Sequence, residues 1–142
     1  MILELISAQE LCDRTGMTPS TLRRYHDMFS RTVEDPIPPV LYTYKATVIV
    51  EKVATVDWLD RLYASMIASR EQQLREATEF LDKLGGPDSA HISPRLGFGK
   101  ERQRGLKRVR EARETVSKAP KKLKNDREIL AALREMYKEM AE

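Results

Sequence analysis

The feature that most constrains the fold is an apolar stripe along residues 57–84. Apolar side chains recur there at three- and four-residue steps, which is the spacing of one side of an α-helix, and Asp57 can cap its start. Gly85-Gly86-Pro87 follows as a stop signal. Such a helix is about 40 Å long at 1.5 Å per residue. Part of its stripe should therefore pack on another helix, either from the C-terminal segment or from a second chain.

Two shorter helices are predicted before this long one. Ser7 with Glu10 three residues later has the capping-box spacing, so the first helix should begin directly after Ser7. Gly16 supplies the left-handed conformation that ends it. Thr18 then caps a second helix, which has Pro19 at its first position.

The second helix has a polar outer side. Leu22 and Tyr25 return at helical spacing toward the first helix. The side chains left on the exposed side or at its edges are Ser20, Thr21, Arg23 and Arg24. Hydroxyl groups at a helix start suit phosphate or base-edge contacts, and arginine binds phosphate or guanine through its planar fork. We predict contact with DNA; the other interpretation is a solvated surface.

The hairpin also follows a fuller pattern: Glu-Leu, a small residue, Arg-Thr-Gly, a hydrophobic residue, Thr-Pro, and Thr-Leu-Arg before a tyrosine. Its members are Ile6, Glu10, Leu11, Cys12, Arg14, Thr15, Gly16, Met17, Thr18, Pro19, Thr21, Leu22, Arg23 and Tyr25. This pattern resembles the start of the MerR-type winged helix-turn-helix regulators, whose second helix enters the major groove. The resemblance implies DNA binding, with an arginine and a tyrosine near the end of that helix holding the DNA backbone. The candidate contacts are Thr18, Ser20, Thr21, Arg23, Arg24 and Tyr25.

Residues 29–45 correspond to the wing of that family. Three prolines stiffen this segment, and an aromatic, β-branched strand is predicted near its end. Family wings usually carry a glycine and several basic residues, whereas this one has no glycine and has Glu34 and Asp35 at its centre. The candidate DNA contacts here are Arg31, Tyr44 and Lys45. A wing shifted off the DNA, or one that binds protein, stays open as an alternative.

The resemblance further implies a homodimer. The family pairs through a long antiparallel coiled coil after the DNA-binding domain, so that two second helices reach half-sites on one face of a duplex. We therefore expect a dimer on a near-palindromic operator. The candidate dimerisation residues are Leu59, Leu62, Met66, Leu74, Phe80 and Leu81.

The remaining segments have weaker patterns. Residues 47–50 are β-branched but fit a helical period, so we favour helix and keep strand as an alternative. Residues 87–100 have the composition of a linker, in which His91 is a solvated loop residue. A basic helix should follow and be interrupted near Pro120. Asn125 or Asp126 then caps a final amphipathic helix, which either folds back on the long helix, as we favour, or docks on another protein.

Charge is distributed unevenly along the chain. Residues 1–60 carry 6 basic and 9 acidic side chains, whereas residues 95–124 carry 12 and 3. A segment this basic can bind nucleic acid without sequence preference, or it can be a solvated linker. The candidate non-specific contacts are Arg102, Arg104, Lys107, Arg108, Lys121 and Lys122.

Composition excludes several classes of protein. Charged residues make up 33% of the chain, and no uncharged span is long enough for a bilayer. The lone Cys12 allows no internal disulfide and no multi-cysteine zinc site. No glycine-rich phosphate loop, histidine pair or nucleophile set is present. We therefore expect a cytoplasmic protein without membrane contact, enzymatic activity, cofactor or metal.

The sequence thus predicts a mainly α fold: a winged helix-turn-helix with a small β wing, followed by a long dimerisation helix and C-terminal helices. The predicted domains are residues 1–56 for DNA binding, 57–86 for the dimerisation helix, and 87–142 for the linker, basic segment and final helix. The predicted function is sequence-specific transcription regulation on double-stranded DNA. The alternatives are an adaptor that binds RNA polymerase or a recombination complex, and an excisionase-like architectural DNA-binding protein.

Overall fold

The computed structural model describes residues 4–29, 42–44 and 47–141, and this part of the chain is mainly helical with a small antiparallel sheet, as predicted. The elements in chain order are β1 (Leu5–Ser7), α1 (Ala8–Thr15), α2 (Pro19–Phe29), β2 (Tyr42–Tyr44), β3 (Thr47–Glu51), α3 (Lys52–Lys83) and α4 (Gly99–Ala141). Two short 3₁₀ turns, Ala90–Ile92 and Pro94–Leu96, lie between α3 and α4.

Three predicted helix ends are confirmed, namely both ends of α1 and the start of α2. Ser7 Oγ accepts a hydrogen bond from the Glu10 amide at 3.1 Å, and Gly16 ends α1 with φ of 83°. Thr18 Oγ1 accepts from the Thr21 amide at 3.2 Å, with Pro19 at the first position of α2. These are short-range contacts, so local sequence was sufficient to predict them.

The sheet has the strand order β1-β3-β2, and both pairs are antiparallel. In the β1–β3 pair, Ile6 lies opposite Val50, and in the β2–β3 pair, Thr43 lies opposite Val48. The favoured helical interpretation of residues 47–50 is therefore wrong and the strand alternative is correct, since pairing on both sides outweighs the helical period. Most of the predicted wing, residues 30–41 and 45–46, lies outside the described residues.

Helix α3 begins earlier than predicted. It starts at Lys52 directly after β3, so Asp57 lies inside the helix and does not cap it. The Lys52 amide donates to the Glu4 carbonyl at 2.9 Å, and Lys52 Nζ lies 3.0 Å from Glu4 Oε1. These contacts from another strand fix the start, which local sequence could not indicate. The predicted stop is confirmed, because α3 ends at Lys83 before two glycines with positive φ.

The chain forms two compact units, which do not follow the three predicted segments. Unit 1 is Met1–Met66 with Asn125–Glu142, and unit 2 is Ile67–Lys124. The divisions fall within α3 and α4, because each of these helices contributes one part to each unit.

The last part of α4 belongs to the core of unit 1. Leu133 and Met136 are 0% and 1% exposed, and Arg134 Nε lies 3.7 Å from Asp60 Oδ2 near the start of α3. An ion pair between Arg14 and Glu139 connects α1 with α4, and the hydrogen bond from Arg14 lowers the pKa of Glu139. The favoured prediction that the C-terminal helix folds back is confirmed.

The segment predicted to be a linker is instead packed into unit 2. Ala90 and Leu96 are buried in one cluster with Leu81, Val109 and Ala112. Arginines also bind the segment through backbone carbonyls. From α4, Arg102 donates to His91 O at 3.1 Å and Ser93 O at 3.3 Å, and Arg113 donates to Pro87 O at 2.6 Å. From the segment itself, Arg95 donates to Lys83 O at the end of α3, at 2.9 Å. Composition alone does not reveal these long-range contacts.

The predicted interruption at Pro120 is also wrong, as is the cap at Asn125 or Asp126. Helix α4 runs through Pro120 without a break. A proline inside a helix costs about 3 kcal/mol, because its ring clashes with the carbonyl of the preceding turn and its nitrogen donates no hydrogen bond. Burial of Ala119 and Leu123 on either side of Pro120 opposes this cost, since burying a leucine side chain alone contributes about 1.5–3 kcal/mol.

The dimerisation residues need a partial correction. Leu59, Leu62 and Leu81 are 0%, 3% and 0% exposed within one chain, whereas Met66, Leu74 and Phe80 are partly exposed. The sequence left two candidates for the helix that covers the apolar stripe, one from the C-terminal segment and one from a second chain. The C-terminal segment covers Leu81, which is buried in one cluster with Ala90, Leu96, Val109 and Ala112.

We therefore expect the free protein to sediment as a monomer of 16.4 kDa. The physical reason is that Leu59, Leu62 and Leu81 are already buried within one chain, which leaves only the partly exposed Met66, Leu74 and Phe80 to gain from pairing. Sedimentation equilibrium measures the mass directly. A stable species of twice this mass would contradict the expectation.

Replacement of Leu133 by alanine should lower the free energy of unfolding by about 2–5 kcal/mol, because it leaves a cavity in unit 1. Urea denaturation followed by circular dichroism measures the change. The matched control is Tyr137→Ala, one turn further along α4 at a side chain that is 49% exposed. Equal losses for the two variants would show that α4 does not contribute this core.

Candidate nucleic-acid interface

Three hydroxyl groups are collected at the start of α2. Thr18 Oγ1 donates to Thr21 Oγ1 at 2.7 Å and lies 3.2 Å from Ser20 Oγ. Thr18 and Ser20 are exposed, and Thr21 is half-buried. The structure therefore brings these predicted contacts together at the helix start.

The two arginines of α2 extend the same surface. Arg23 and Arg24 are both exposed. The Arg24 guanidinium carbon lies 5.3 Å from the centre of the Tyr25 ring, an arrangement in which the aromatic ring orients the cation. Arg23 lies one turn after Ser20 and so continues the line of polar side chains along the helix.

The opposite side of α2 is held firmly by α3. Leu22 is buried, the Tyr25 ring meets Tyr63 edge-on at 6.1 Å, and the His26 ring meets Trp58 at 6.2 Å. Tyr25 is thus half-buried and shared between the core and the surface. Because its inner side is packed, α2 presents the outer side in a defined orientation.

A groove of about 500 Å³ runs beside this outer side. Its walls come from the starts of α1 and α2 and from β3. Its lining residues are Ala8, Gln9, Pro19, Ser20, Leu22, Arg23, Thr47 and Val48. Sequence reasoning missed Gln9, whose position on the exposed side of α1 was the available signal; its amide donates to Asp13 Oδ1 at 2.8 Å.

Three candidates from the predicted wing have no described side chain. Arg31 and Lys45 lie outside the described residues. The backbone of Tyr44 lies in β2, opposite Thr47 of β3. DNA contact by these residues stays a prediction.

The six candidates in the basic segment have different environments. Arg104, Lys107, Lys121 and Lys122 are exposed. Arg108 is exposed, but its guanidinium carbon lies 4.3 Å from the centre of the Phe80 ring. Arg102 requires a correction, because its guanidinium donates to the carbonyls of His91 and Ser93 and so stabilises unit 2.

Charge separates sharply between the two units. Unit 1, which contains α2, has 10 basic and 14 acidic side chains and a net charge of −4. Unit 2 has 15 basic and 8 acidic side chains and a net charge of +7. Long-range attraction of a polyanion must therefore come from unit 2, while contacts made by unit 1 depend on the local cations of α2.

Other chemistry has little geometric basis in the described part of the chain. Cys12 is buried, and this burial, with the neighbouring Asp13 carboxylate, raises the pKa of its thiol. No group of three or more potential metal ligands occurs among the described residues. No described helix is long and apolar enough to cross a membrane.

Comparison with family models, with curated proteins and with solved structures finds no match for this chain.

Proposed function

We propose that this protein is a sequence-specific DNA-binding regulator that inserts α2 into the major groove. The observation that carries the proposal is the exposed line of hydroxyl and guanidinium groups on α2, whose opposite side is packed against α3. A rigid helix with such a side has the size and chemistry to read base edges. If the outer side of α2 were only a solvated surface, it would not require that fixed orientation.

The order of elements supports this proposal. Two short helices joined by a tight turn are followed by an antiparallel strand pair, β2 and β3, and then by a long helix. This is the order expected for a winged helix-turn-helix, in which residues at the start of the second helix contact base edges. The pattern from Ile6 to Tyr25 that resembles MerR-type regulators covers the same two helices.

The two arginines are assigned different roles. Arg23 borders the groove together with Ser20, and its planar fork can bind O6 and N7 of a guanine. Arg24 is oriented by the Tyr25 ring near the end of the polar line, which suits a phosphate contact. Arg23 should therefore determine sequence choice, and Arg24 should determine affinity.

A protein-binding adaptor is the main alternative, and the net acidic charge of unit 1 favours it. An acidic surface repels DNA outside the contacts of α2 and suits a basic protein partner. The two functions differ in one property, because only the DNA-binding regulator discriminates between duplex sequences.

Replacement of Arg23 by alanine should remove most of this discrimination. We expect the preference for a selected duplex over a scrambled one to fall about 10- to 100-fold, because one bidentate base contact contributes roughly 1–3 kcal/mol. The measurement is selection of duplexes from a random pool with full-length protein, followed by fluorescence anisotropy on the selected and scrambled sequences.

The matched control is Arg61→Ala, which removes an exposed arginine from another helix of unit 1, where it pairs with Asp57 at 3.1 Å. This variant should keep the wild-type preference. If the wild-type protein enriched no sequence, or if Arg23→Ala kept the full preference, α2 would not be a reader of DNA and the adaptor would become the better hypothesis.

A further inference from the structure

The basic residues of α4 occur in a repeat of 14 residues. The sequence RGLKRVREARE at positions 104–114 corresponds to KAPKKLKNDRE at positions 118–128. Each copy has five basic residues at the same positions. Four of them surround a buried apolar residue, which is Val109 in one copy and Leu123 in the other, and the fifth is Arg113 or Arg127. The first basic cluster is Arg104, Lys107, Arg108 and Arg110; the second is Lys118, Lys121, Lys122 and Lys124.

Helix geometry places the two clusters on the same side of α4. Fourteen residues are close to four helical turns, so equivalent residues lie about 21 Å apart along one surface. Val109 and Leu123 are both 2% exposed and mark the buried side in each copy. All eight basic residues are exposed, so the repeat separates cations from the core in both copies.

Most of these cations are available to an external partner. Within the described part of the chain, Lys118 is the one member of the eight that forms an ion pair, with Glu114 at 2.6 Å. Arg108 packs over Phe80, which leaves the outward edge of its guanidinium in solvent. The Glu114 carboxylate also attracts Lys122, so the other six cations are the ones most available to release condensed counterions when they meet a phosphate backbone.

We propose that the two basic clusters form a second binding surface, which takes the phosphate backbone of double-stranded nucleic acid without reading its sequence. This surface lies in unit 2 and is independent of the reading of bases by α2. It accounts for the net charge of +7 on a unit that is distinct from the one containing the candidate reading helix.

The absence of apolar side chains on this surface favours nucleic acid over other polyanionic partners. The exposed large hydrophobic residues of the described chain are Leu5, Met28, Val53, Ile92, Phe98 and Tyr137, and none falls within residues 104–124. Protein interfaces bury apolar side chains at their centres, and helices on membrane surfaces insert an apolar side. A phosphate backbone requires cations alone.

The dimensions also suit a duplex. Residues 104–124 span about 30 Å of helix, slightly less than one turn of B-form DNA. Two clusters about 21 Å apart are separated by a distance of about six base pairs along the duplex axis. Both clusters can therefore contact phosphates within a single turn.

The test removes the second cluster and leaves α2 intact. In the variant Lys121→Gln/Lys122→Gln/Lys124→Gln, affinity for a random duplex should fall on the order of tenfold, and the slope of log K against log salt should become shallower by about 2–3. Fluorescence anisotropy over a salt series measures both quantities. Duplex DNA and duplex RNA are titrated in parallel to show which backbone is preferred, and polyglutamate is titrated as a polyanion without phosphates.

The matched control is Arg61→Gln/Arg134→Gln/Lys138→Gln, which removes the same charge from exposed positions of unit 1 outside the repeat. It should keep the wild-type slope. The variant Lys121→Arg/Lys122→Arg/Lys124→Arg keeps the charge and should bind normally, and circular dichroism verifies the helical content of all three variants.

Any of three results would overturn the proposal: an unchanged salt slope, an equal loss in the control, or binding of polyglutamate as tightly as of duplex. Failure here is distinguishable from failure of the proposed function. The lysine variant should weaken selected and random duplexes by the same factor, whereas Arg23→Ala changes the ratio between them.

Discussion

The burial of the apolar sides of α3 and α4 is the constraint on which the other features depend. Each of these long helices is divided between the two units. Unit 1 contains the first part of α3 and the last part of α4, and unit 2 contains the remaining part of each helix. In unit 1 this arrangement brings Leu133 and Met136 into the core that also contains Trp58. Because α2 packs against that part of α3 through Tyr25 and His26, its polar side is held outward.

The accuracy of the sequence-based predictions depended on the range of the interactions. Both ends of α1 and the start of α2 were predicted from Ser7, Gly16 and Thr18, because each of these residues acts within about four positions of itself. The polar line on α2 was predicted for the same reason, since helical spacing alone determines which side chains share a side.

The errors came from contacts between residues distant in sequence. Residues 47–50 form a strand because β1 and β2 pair with them on both sides. Helix α4 continues through Pro120 because neighbouring apolar residues are buried, and the segment after α3 folds because arginines bind its carbonyls. Arg102 illustrates the consequence for a binding site: its sequence context marked it as a nucleic-acid contact, but its guanidinium binds His91 and Ser93.

The separation of charge suggests a division of labour between the units. Unit 1 has net negative charge and few cations, so its affinity for DNA would be low and its discrimination would depend on α2. Unit 2 has the excess of cations, and those of α4 occur in a regular repeat, which suits the uniform phosphate backbone of a nucleic acid. Together they would combine sequence choice with general affinity, which neither surface provides alone.

The most direct test of this account is an NMR titration of isotope-labelled full-length protein with a duplex that it selects. The account predicts that backbone amide shifts concentrate at Thr18 to Arg24 and along residues 104–124. It further predicts that a scrambled duplex retains the second group of shifts and loses most of the first. Identical shifts with both duplexes, or shifts confined to other residues, would contradict the claim that one surface reads DNA and the other binds its backbone.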